Sequence, residues 1–67
     1  MSKKAQLERN RNSLVATEAE LGRMEQAAET NHVALRIGRA RAMTRAAAQE
    51  LDLAMGTMVD TPTEQNL

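Results

Sequence analysis

One line of mostly apolar residues runs through the second half of this chain at steps of four and three: Val33, Ile37, Ala40, Thr44, Ala47, Leu51, Ala54 and Met58. That rhythm is the a/d seam of a coiled coil, in which each side chain returns to one face of a slightly underwound helix. A narrow stripe of this kind calls for another helix to cover it. A second run lies upstream. Leu7, Leu14, Leu21 and Ala28 recur every seven residues, with Asn10, Thr17 and Met24 filling the positions between them. The two stripes are out of phase. On a common helical axis they centre at roughly 290° and 50°, so one straight helix would aim them at different sides.

The phase change falls at Glu29-Thr30-Asn31-His32. Thr and Asn are favoured helix N-caps because their side chains accept from free backbone N–H groups. The pattern therefore predicts an all-α fold: a two-helix antiparallel hairpin, coiled-coil-like, with a helix over 6–29, a turn at 30–32 and a helix over 33–59. Residues 1–5 read as a frayed basic start and residues 60–67 as a disordered tail. Thr61-Pro62 stops the second helix. No Gly or Pro marks the turn, so one long bent helix is the alternative architecture. Gly22 and Gly38 are the other candidate break points, each tolerable inside a helix at about 1 kcal/mol.

Composition makes the missing partner more pressing. Twelve of the apolar residues are Ala, and there is no Phe, Trp or Tyr, the types that bury the most area per position. A chain of 67 residues built this way comes out near zero stability without a staple. No Cys is present to supply a disulfide or thiolate metal site. A homo-oligomer or a helical protein partner is the expected staple. The seam residues Leu7, Leu14, Leu21, Met24, Val33, Ile37, Ala40, Thr44, Ala47, Leu51, Ala54 and Met58 form the expected interface.

Charge gives no overall steering, because nine basic residues balance nine acidic ones. Locally, Arg36, Arg39, Arg41 and Arg45 fall within a stretch free of acids between Thr30 and Gln49. Their spacing puts two on each side of the seam. There they serve as rim contacts pairing with Glu of the first helix, or as phosphate contacts.

Candidate chemistry is sparse. His32 is the sole histidine, and Glu29-Thr30-Asn31-His32 matches the Glu-x-x-His of carboxylate-bridged metal bundles, but only once. No phosphate loop or nucleophile elbow occurs. The expectation is a non-enzymatic protein with no cofactor, metal or small-molecule substrate. No membrane span, lipid anchor or secretion signal is expected either, and the expected location is the cytoplasm or an assembled particle. Leu53, Met55-Gly56, Val59 and Asp60-Thr61 resemble part of the C-terminal helical segment of SNARE proteins, strands of a four-helix fusion bundle. Pro62 stands where that helix would have to run on, so no residue role is carried across.

The expected function is a helical protein–protein interaction module, acting as a small assembly factor, chaperone, regulator or minor structural subunit. The rival expectation is a nucleic-acid-binding regulator using the Arg36–Arg45 cluster.

Overall fold

Ser2 opens the first helix. Its hydroxyl accepts from the Ala5 N–H at 3.1 Å, and its carbonyl accepts from Gln6 N–H at 3.1 Å. The computed structural model describes residues 2–58, and the chain they form is two α-helices, α1 (Lys3–Ala27) and α2 (Asn31–Thr57). The cap at Ser2 draws Lys3, Lys4 and Ala5 into α1, where composition had suggested fraying. The end of the 33–59 helix at Val59 and the tail over 60–67 lie outside the described residues.

The helices fold back on each other as a hairpin and pack along their lengths, so the long bent helix is not the architecture adopted. The reversal occupies Ala28, Glu29 and Thr30, two residues earlier than the 30–32 turn expected from the sequence. Ala28 leaves the helix at φ −65° and ψ 136°, and Thr30 is extended at φ −127° and ψ 152°. None of the described residues has a positive φ. A turn with no residue at positive φ needs no glycine, which explains why none marks it. Thr30 then caps α2: its hydroxyl accepts from Val33 N–H at 3.2 Å, and its carbonyl from Ala34 N–H at 3.0 Å. At the far end, the Met58 N–H reaches the carbonyls of Ala54 and Met55.

The facing stripes are Leu7, Arg11, Leu14, Glu18, Leu21 and Glu25 on α1, continued by its C-cap Ala28, and Ala34, Ile37, Arg41, Thr44, Ala48, Leu51 and Met55 on α2, continued by its C-cap Met58; all are half-buried or better. Only Ala48, 6% exposed, is fully buried among the described residues. A hairpin that shields a single alanine from water has little hydrophobic free energy to set against the entropy of ordering its chain.

Candidate interaction surfaces of the hairpin

The seam residues named from the sequence divide into two sets. Leu7, Leu14 and Leu21 of α1, with Ile37, Thr44, Leu51 and Met58 of α2, are half-buried within the hairpin. Met24, Val33, Ala40, Ala47 and Ala54 are exposed. Their places on the inward faces are taken by the next residue along: Glu25 for Met24, Ala34 for Val33, Arg41 for Ala40, Ala48 for Ala47 and Met55 for Ala54. Likewise Arg11 and Glu18 face inward where Asn10 and Thr17 had been expected to do so.

This one-residue rotation has a physical cause. Asn10 and Thr17 are short and polar, so inside the seam they would lose water without gaining a partner. Arg11, Glu18 and Glu25 have longer stems that cover apolar surface while their heads reach water or an opposite charge. On α2 the same turn exchanges Ala40 and Ala54 for the longer Arg41 and Met55. Thr44 is the polar residue common to both readings. Its hydroxyl donates to the Ala40 carbonyl at 2.8 Å, which satisfies it without help from α1.

The rotation makes an ionic flank. Arg11 Nε lies 3.1 Å from Asp52 Oδ1, and Arg41 Nε lies 3.5 Å from Glu25 Oε1. Arg11 Nε is shut off from solvent, and its contact with Asp52 is an ion pair without the alignment of a directed hydrogen bond. Both long side chains of the Glu25–Arg41 pair cross the gap at a glycine. A Cβ on Gly22 would stand 3.1 Å from Arg41 Nη1, and one on Gly38 would stand 3.0 Å from Glu25 Oε2. Gly22 and Gly38, candidate break points in the sequence, are thus intact helical positions where the backbone leaves room for a charged head. An open groove on this flank is lined by Glu18, Arg41, Arg45 and Gln49 among others.

The four arginines do not share one patch. Arg41 is turned inward against Glu25, while Arg36, Arg39 and Arg45 are exposed. His32 is exposed in the first turn of α2, and Glu29 lies in the connection. No group of three or more His, Asp or Glu side chains among the described residues is placed to hold a metal ion. No described helix is long and apolar enough to cross a membrane.

The remaining large apolar side chains lie on the outside. Leu35 is 54% exposed, Leu53 63% and Met43 73%, all on α2, with Val33 at 47% near its start. On α1, Val15 and Met24 are exposed singly on opposite flanks. At about 100° per residue, Leu35 and Leu53 fall on the side of α2 that faces away from α1. No sequence periodicity had singled them out beyond placing them behind the seam.

These features define an all-α, two-helix hairpin with an ionic seam and an uncovered outer face on its second helix. Comparison with protein families, with curated proteins and with solved structures finds no match to this chain.

Proposed function

We propose that this protein is a non-enzymatic helical interaction module whose fold is completed by another helix. The observation that carries the reading is the poverty of its core: among the described residues one fully buried alanine, beside four large apolar side chains, Val33, Leu35, Met43 and Leu53, left exposed on α2. Burial of Leu35, Met43 and Leu53 against a partner would add the apolar area that the hairpin lacks. In this role the chain acts as a small assembly factor, chaperone, regulator or minor structural subunit, in the cytoplasm or within a larger particle.

The reading predicts that helix content and thermal stability rise with protein concentration, or on adding the partner. Circular dichroism over a wide dilution series, paired with sedimentation equilibrium, tests it. A cooperative melt that is independent of concentration, from a species of monomer mass at high dilution, sinks the proposal. Titration with duplex DNA at low and high salt separates it from phosphate binding through Arg36, Arg39 and Arg45, which would weaken steeply as salt rises.

A further inference from the structure

The outer face of α2 carries a third heptad line: Leu35, Arg39, Ala42, Ala46, Gln49 and Leu53, every one exposed. Its steps are four, three, four, three, four, the same read in either direction. We propose that this face binds a second copy of the same chain, with the two α2 helices antiparallel about a two-fold axis. The proposal rests on the interaction-module reading and names the partner.

Self-complementarity carries it. A two-fold contact brings one patch against itself, so the patch must match its own reversal. Laid antiparallel, this line sets Leu35 opposite Leu53 at both ends, Arg39 opposite Gln49, and Ala42 opposite Ala46 at the centre. The leucines supply apolar burial, and the central alanines let the two backbones come close. Met43, the most exposed large apolar residue named above, flanks the axis beside its own copy.

Charge decides the direction. Arg36 and Glu50 border the line on one side, and in the antiparallel arrangement each meets the other across the interface, twice per dimer. Neither makes an ion pair within the hairpin among the described residues. A parallel arrangement would set Arg39 against its own copy within the line, where the antiparallel one sets it opposite Gln49. On the opposite border Arg45 approaches its own copy near the axis, and Glu18 lines the same groove. The whole would be a four-helix bundle, with the α2 helices in the middle and α1 outside.

The test is sedimentation equilibrium of the full chain at several concentrations, with circular dichroism on the same samples. Wild type should sediment as a dimer. Arg36→Glu and Glu50→Arg should each weaken the dimer about tenfold or more by creating like-charge meetings, and the double variant should return close to the wild-type affinity. All these positions are exposed in the hairpin, so its own packing is untouched. Leu53→Lys should also give monomers. An oligomer insensitive to the single charge reversals, or one that the double reversal fails to restore, overturns this face while leaving the interaction module standing. A poorly helical monomer that folds only on a foreign helix overturns the second copy as occupant and again leaves the module. A cooperative monomer at high dilution overturns both.

Discussion

Gly22 of α1 lies against the guanidinium of Arg41 of α2, so close that a Cβ on the glycine would stand 3.1 Å from Nη1. Gly38 takes the matching place beside the carboxylate of Glu25, which Arg41 meets at 3.5 Å. Two helical glycines and one ion pair therefore form a single packing unit in the part of the hairpin nearest the turn. A methyl group at either glycine has to push a charged head aside by a few tenths of an ångström.

This arrangement separates three glycines that look alike in the sequence. Gly56 has nothing within 4 Å of its would-be Cβ. Gly56→Ala should stabilise the helical state by about 0.5–1 kcal/mol, since alanine lowers the entropy lost on forming helix and meets no obstacle. Gly22→Ala and Gly38→Ala should gain less, because displacement of Arg41 or Glu25 offsets the same benefit. Urea midpoints of the three variants at one protein concentration check the order. Equal gains at all three sites would show that the glycines are not matched to the ion pair.

The Glu25–Arg41 contact is partly exposed, with side chains 31% and 43% accessible. Its coupling energy should be small, about 0.2–1 kcal/mol in a double-mutant cycle with Glu25→Gln and Arg41→Met, and should shrink in 1 M salt. A cycle run at low and high salt measures it. A coupling that salt leaves unchanged would point to packing of the stems in place of charge.

Thr30 holds the start of α2 through its hydroxyl. Thr30→Ala should cost about 1 kcal/mol and loosen the first turn of α2, while Thr30→Ser should be nearly silent. Amide exchange at Val33 reports the effect directly. Ser2→Ala removes the same kind of bond at α1, but at a helix end far from the turn, so its loss should fray Lys3–Ala5 without separating the helices.

Leu51 faces inward in the sequence pattern and in the hairpin alike. Leu51→Asp replaces a half-buried leucine of the seam with a carboxylate, and should remove most of the helical signal together with any oligomer mass. A variant that stays helical at its native mass would mean that this position is not part of the seam.

The seven-residue leucine spacing, the apolar line ending at Met58 and the Thr30 cap are local features, and from them the all-α class, the two helices and the reversal near residue 30 were legible in the sequence. Leu7, Leu14, Leu21, Ile37, Thr44, Leu51 and Met58 are half-buried in the hairpin and serve either rotation of the helices. The choice between rotations was not legible. Ala46, Ala47 and Ala48 offer three adjacent positions of identical chemistry, and nothing along the chain says which one meets the other helix. That depends on what sits across the gap: Glu25 reaching past Gly38, Arg41 reaching past Gly22, and Arg11 facing Asp52. Those pairings join residues far apart in the chain, so only the packed hairpin decides them. By deciding them it leaves Leu35, Met43 and Leu53 on the outside.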